Sequence, residues 1–241
     1  MWHVYCNDCM KQLATFRHEG REFDHVIVDP PYGITNCSWD TPLDLDRMWE
    51  LLRAVTRPTS NIIVFSRQPF TSVLNASNLK EFRYEVIWMK TQATAPMLSK
   101  VRILPIHENI SIFYRKKGTY NPQMRMGFKN YGGTKSEGTV TNRLYGNVYS
   151  MHRDCKDGSR YPVSVLVYKN VRYGVHPTQK PVELLEYLVA TYSDPGDTIL
   201  DFTMGSGSTG VACKNIGRNF VGIEKDVETY RLAIKRLKGE L

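Results

Sequence analysis

Four short apolar runs, each closed off by polar or turn residues, set narrow limits on how this chain can fold. They are Phe23-Asp24-His25-Val26-Ile27-Val28, Asn61-Ile62-Ile63-Val64-Phe65, Asp197-Thr198-Ile199-Leu200 and Asn219-Phe220-Val221-Gly222-Ile223. Runs of this kind suit strands buried on both faces, as in the middle of a parallel sheet. Between them Leu43 to Val55, Pro181 to Tyr192 and Val227 to Leu237 repeat apolar residues three and four apart, and Pro181 suits a first helical turn. Strands alternating with helices predict an α/β fold, a doubly wound, mostly parallel, Rossmann-like sheet. Such sheets bind ligands beyond the carboxyl ends of their strands.

At 241 residues, 41% hydrophobic and 11% aromatic, the chain is expected to form a single folded domain over 1–241. From Lys116 to Arg160 the rhythm breaks, with glycines at 118, 127, 132, 133, 138, 146 and 158, which predicts a loop-rich insertion, placed at 116–172. Thr91 to Arg102 is also poor in pattern. The cysteines Cys6, Cys9, Cys37, Cys155 and Cys213 are odd in number and scattered, as reduced cytoplasmic thiols are. Cys6 and Cys9 form a lone C-x-x-C without a second ligand pair nearby, so no metal is expected. Neither a signal peptide nor a membrane span is indicated.

The net charge of +8 is unevenly placed. Between Arg115 and Lys180 thirteen Lys or Arg face three acids, a surplus of ten, which leaves −2 for the remainder. Seven of the fourteen tyrosines fall in the same stretch. Basic residues with interleaved aromatics suit phosphate neutralisation and base stacking; a solvated basic surface is the plainer alternative.

Two motifs follow apolar runs. In Asp201-Phe202-Thr203-Met204-Gly205-Ser206-Gly207-Ser208-Thr209-Gly210 the glycines remove side chains where a cofactor would lie on backbone, and the helix expected over Val211 to Ile216 would turn its amide ends toward it. Glu224, followed by Lys225, ends the next strand, where an acid can accept both hydroxyl hydrogens of a ribose. No Gly-Lys-Ser or Gly-Lys-Thr follows, so this is not a phosphate-binding loop of that kind. The second motif is Asp29-Pro30-Pro31-Tyr32. Its prolines stiffen the backbone and remove two amide hydrogens. The Asp29 carboxylate and the Pro30 carbonyl can each take one hydrogen of an exocyclic amine, and Tyr32 can stack on its ring.

On these motifs the chain resembles the S-adenosylmethionine-dependent DNA amino-methyltransferases in which the tetrad precedes the cofactor turn, the beta-type, adenine-N6-specific class. Asp29 to Tyr32 matches the catalytic motif, the turn matches the methionine-binding motif, and Glu224 matches the ribose acid. His176-Pro177-Thr178-Gln179-Lys180-Pro181 is similar to the motif lining the methionine end of the cofactor, and Asn7-Asp8-Cys9 resembles the segment whose acid meets the cofactor adenine. One departure stands out: Phe202-Thr203 replaces the usual Pro-Phe. The resemblance implies S-adenosyl-L-methionine as cofactor, double-stranded DNA as partner, and a target-recognition role for the insertion. There Lys116, Lys117, Arg125, Lys129, Arg143 and Arg153 are candidates for DNA contact.

The expected reaction is methyl transfer to the N6 amine of an adenine flipped out of the duplex, with cytosine N4 as the alternative, in a monomeric or homodimeric cytoplasmic enzyme of a prokaryotic or phage-infected cell. A restriction partner is not readable from the sequence. Enzymes acting on RNA bases or protein glutamine usually place the turn first, whereas here Asp201 follows Asp29 by 172 residues. A silent DNA-binding relative would tend to lose the tetrad, the turn or Glu224, and a Rossmann dehydrogenase has no use for the prolines. His3, His18, His25, His107 and His152 are scattered and receive no acid–base role. Trp39 and Asp40 are candidates for a loop closing over the flipped base.

Overall fold

The structure is a computed structural model and describes residues 1–35, 37, 40–129, 138–142, 146–150, 157–171, 174 and 179–241. Two compact units emerge, one of residues 1–121 and 164–241, the other Pro122–Val163. The first is built on an eight-stranded sheet: β1 (Trp2–Cys6), β2 (His25–Val28), β3 (Ile62–Ser66), β4 (Phe82–Lys90), β5 (His107–Phe113), β8 (Val165–Tyr168), β9 (Thr198–Asp201) and β10 (Asn219–Glu224). Their spatial order is β1-β10-β9-β2-β3-β5-β4-β8. Seven strands run one way and β5 alone runs against its neighbours β3 and β4.

All four expected strands are present within a residue or two. Their double-sided burial is explained by alternation: Val26 and Val28 of β2 and Ile62 and Val64 of β3 point into one apolar cluster, Ile27, Ile63 and Phe65 into the other. The first cluster packs under α1 (Cys9–His18), α2 (Leu45–Val55) and α3 (Phe70–Ser77), the second under α4 (Val182–Tyr192), α5 (Ser208–Asn215) and α6 (Val227–Lys238). Fully burying each such aliphatic side chain stabilises the fold by roughly 1.5–3 kcal/mol. Aspartates start three of the helices: Asp8, Asp44 and Asp226 accept from the backbone N–H three residues on, at 3.0, 3.0 and 2.8 Å. Helix α5 begins at Ser208, three residues earlier than expected.

Buried His25 is structural. Its Nε2 lies 3.2 Å from Asp197 and its Nδ1 accepts from the Asn61 backbone at 3.1 Å, and burial lowers its pKa despite Asp197.

The expected insertion is too long at both ends. Asn121 is tied to the end of α4 through Thr191 and Ser193, and β8 completes the main sheet beside β4, so 116–121 and 164–172 lie in the sheet unit or outside the described residues. The second unit is not merely loops: β6 (Gly138–Asn142) and β7 (Gly146–Ser150) form an antiparallel hairpin. In the same unit the backbones of Arg125 and Arg160 pair, and both guanidinium groups lie over the Phe128 ring, 5.0 and 5.6 Å from its centre.

Candidate active site

Chain direction turns outward from the middle of the sheet, β2 leading to β3 on one side and β9 to β10 on the other, with β2 and β9 adjacent. At that switch point the carboxyl ends of two strands part and leave a cleft. It has a volume of about 840 Å³ and runs along the rim of the sheet, past Asp8 and Cys9 after β1, Glu224 and Lys225 after β10, the glycine turn after β9, Asp29 to Tyr32 after β2, Arg67 after β3 and Lys90 at the end of β4. The tetrad and the turn, far apart in sequence, thus face one space.

The turn is held by its own side chains. Asp201 is buried; its carboxylate accepts from the Thr209 hydroxyl at 2.7 Å and from the Thr203 N–H at 3.2 Å, and burial pushes its pKa up to about 7. Arg236 of α6 donates to the Ser206 carbonyl at 2.7 Å, the Ser206 hydroxyl at 2.9 Å and the Ser208 hydroxyl at 3.0 Å. Gly207 has φ +75°, and a β-carbon there would stand 3.1 Å from that of Ala233. Gly205, at φ +51°, has open space instead, with no atom within 4 Å of where a β-carbon would be. The Gly205 N–H donates to Oε2 of Glu224 at 3.1 Å, and the Asp226 N–H to Oε1 at 2.9 Å, which aims the carboxylate. Phe202 is a cleft wall whose ring is buried in the apolar cluster under α1 to α3.

At the other end of the rim, register sets Cys6 beside Glu224, and the Asn7 N–H donates to the Glu224 carbonyl at 3.0 Å. Asp8 and Cys9 therefore stand next to the ribose-type acid. The Cys9 thiol is pushed up to about 11 by burial and by Asp8, so it is an inert wall. Among the described residues no three His, Cys, Asp or Glu side chains converge to hold a metal.

The tetrad sits in a network of charges. The Tyr32 hydroxyl donates to Oδ1 of Asp29 at 2.5 Å, and the Lys180 ammonium to Oδ2. Tyr32 stacks on Phe70 with ring centres 5.3 Å apart and planes 22° apart. Burial pushes its phenol well above the usual value, and Asp29 adds to that. Glu108, at the start of β5, holds the Lys90 ammonium on Oε1, and Lys180 lies 3.5 Å from Oε2. Burial disfavours every charge here. For Lys180 the acids Asp29 and Glu108 outweigh it and raise the pKa; for Glu108 the two ammonium groups outweigh it and lower the pKa.

Asp40 anchors the tetrad. Its carboxylate accepts the N–H groups of Tyr32 at 2.7 Å, Gly33 at 2.8 Å, Ile34 at 3.0 Å and Thr35 at 2.8 Å, and the Thr35 hydroxyl at 2.8 Å. Burial opposes the charge, but these donors win and keep the carboxyl below its usual value. Asp40 therefore props the loop from inside; Trp39 lies outside the described residues. Sequence reading passed over Glu108, Lys90, Arg67 and Arg236, which reach the site from distant segments. His176, Thr178, Arg143 and Arg153 lie outside the described residues, whereas Gln179 and Lys180 line the cleft. Lys116 and Lys117 need correcting: β5 runs antiparallel, so its end carries the chain to the amino ends of the parallel strands, where the Lys116 N–H meets the Pro58 carbonyl at 2.8 Å, away from the cleft.

A doubly wound sheet with an amine-accepting tetrad and a cofactor-type turn at its switch point defines the class. A DNA methylase profile matches residues 23–235, and the chain belongs to that family, the N6/N4 DNA amino-methyltransferases. It is similar to the Type II methyltransferase M2.DpnII of Streptococcus pneumoniae, 30% identical over 263 residues that cover 97% of this chain and 88% of the relative. Its fold is shared with the crystal structure of the M1.HpyAVI-SAM complex, at a TM-score of 0.69 and 23% identity over 98% of this chain and 100% of that one. It is shared also with the cytosine-N4-specific PvuII DNA methyltransferase, at 0.65 and 14% over 98% and 86%.

Proposed function

We propose that this DNA methyltransferase moves the methyl group of S-adenosyl-L-methionine to the N6 amine of an adenine turned out of duplex DNA. The observation that carries the reading is the joining of the two motifs in one cleft, where the Thr203 hydroxyl of the turn donates to the backbone carbonyl of Asp29. The fold shared with a protein crystallised with this cofactor supports the choice of donor.

The residues present fit the cofactor: the open side of Gly205 leaves backbone accessible, and Glu224 is already aimed by two N–H groups. When bound, the cofactor supplies a sulfonium-activated methyl group. Glu224 accepts the ribose hydroxyls, Asp8 the adenine amine, and Thr203, Gln179 and Lys180 line the methionine end, with His176 and Thr178 in the same role. Asp29 and the Pro30 carbonyl accept the target amine hydrogens and localise its lone pair, while Tyr32, backed by Phe70, offers its other face to the base. The protein's main task is alignment, which is worth several kcal/mol in reactions of this type. Arg125 and Lys129 of the Pro122–Val163 unit, with Arg143 and Arg153, are the candidates for contact with the duplex.

The acid at the first tetrad position favours adenine, and the fold shared with the PvuII enzyme keeps cytosine N4 as the second reading. Type II relatives support a place in restriction–modification, in the cytoplasm of a prokaryotic cell. Mass analysis of nucleosides from methylation-deficient cells expressing the chain tests the base: N6-methyladenine is expected, and N4-methylcytosine would replace adenine by cytosine.

A further inference from the structure

Both oxygens of the Asp29 carboxylate are engaged, Oδ1 by the Tyr32 hydroxyl and Oδ2 by the Lys180 ammonium. A carboxylate that is to accept an amine hydrogen must release one of them. Lys180 has somewhere to go. Its Nζ stands 3.5 Å from Oε2 of Glu108, an oxygen that is buried and has no hydrogen-bond partner among the described residues, while Oε1 is already held by Lys90. A buried charged oxygen held only by an ion pair at 3.5 Å has room for a closer donor.

We propose that Glu108 is a positioning residue for methyl transfer: as the base amine enters, it draws the Lys180 ammonium off Asp29 Oδ2 onto its own Oε2, freeing Oδ2 for the amine hydrogen. The inference rests on Asp29 being the amine acceptor. Lys90 fixes Glu108, so the lysine is the partner that moves. Two acids and two ammonium groups share this pocket; the shift gathers both ammonium groups on Glu108 and leaves Asp29 with the Tyr32 hydroxyl and the incoming amine in place of its cation, a stronger acceptor for the amine hydrogen. It also takes a cation away from a nitrogen that becomes positive as it is methylated, and the freed Oδ2 can receive the proton that this nitrogen releases to become a neutral methylamine.

The test is single-turnover transfer of labelled methyl groups to methylation-free DNA at saturating cofactor, with cofactor dissociation constants measured alongside, for the wild type, Asp29→Ala, Glu108→Gln, Glu108→Asp and Glu108→Gln with Lys180→Gln. Glu108→Gln is expected to slow transfer by up to about 100-fold, the scale of a misplaced positioning group, with cofactor affinity within about threefold of wild type. Glu108→Asp, which keeps the carboxylate, should recover part of the rate. The double variant should outpace Glu108→Gln, because the ammonium stranded on Asp29 is gone; a purely structural role of Glu108 gives no such suppression. Should Glu108→Gln not fold, Glu108→Asp with and without Lys180→Gln carries the same comparison. A wild-type rate in Glu108→Gln, or no suppression, overturns the proposal and leaves the Asp29 reading standing if Asp29→Ala is inactive. An active Asp29→Ala overturns both.

Discussion

The Thr203 hydroxyl donates to the backbone carbonyl of Asp29 at 3.0 Å, across 174 residues of sequence. Asp29 follows β2 and Thr203 follows β9, so this bond stitches the two strand ends of the switch point together. Thr203 also gives its N–H to Asp201, so it couples the position of the amine acceptor to the brace of the cofactor turn.

Thr203→Val keeps shape and removes that hydroxyl. Loss of one such bond costs about 1 kcal/mol, so the melting temperature is expected to fall by roughly 2–4 °C, and the maximal transfer rate by roughly fivefold as the same bond positions the acceptor in the transition state. Steady-state kinetics on methylation-free DNA checks this.

Asp40→Ala leaves the N–H groups of residues 32–35 without their common acceptor. We expect a loss of about 2–3 kcal/mol, the range for stranding partly buried polar groups, and hence a fall in melting temperature of roughly 4–12 °C for a chain of this size. Thermal unfolding measures it, and transfer activity should fall with it because Tyr32 belongs to the same loop.

Asp201 gives a pH signature. An acid shifted from 3.8 to about 7 by burial holds its proton in the folded chain over a window in which the unfolded chain has released it. Stability from this group therefore falls as pH rises from about 4 to about 7, by up to roughly 1.4 kcal/mol per unit. Asp201→Asn has no such proton to lose. The stability difference between the wild type and that variant, from denaturant unfolding, should shrink or reverse as pH rises through the window; a pH-independent difference contradicts the assignment.

Gly207→Ala forces a side chain into the left-handed region at φ +75° and against Ala233. A cost of about 1–2 kcal/mol is expected, with weakened cofactor binding by calorimetry because the start of α5 shifts.

The central sheet was legible because β2, β3, β9 and β10 are buried on both faces and so read as unbroken apolar runs. Strand β5 was not: His107-Glu108-Asn109-Ile110-Ser111 carries polar residues into a buried strand, where Lys90 and Glu85 meet Glu108 and Asn109 from β4. Strand β4 is disguised in another way: Arg83, Tyr84 and Glu85 are exposed along its first half, and only Val86 and Trp88 are buried, too few to make an apolar run. The tetrad, the glycine turn and Glu224 were readable since each is a local motif. Their supports, Asp40 under the tetrad and Arg236 over the turn, are single residues whose role exists only once the chain has closed around them.

The most direct measurement is single-turnover methyl transfer by Asp29→Ala at saturating cofactor, with the cofactor dissociation constant of the same preparation. We expect transfer to drop by about 1,000-fold or more, as when a group aligning the reacting atom is removed, with affinity within about threefold of the wild type. Transfer near the wild-type rate would contradict the placement of the target amine at Asp29.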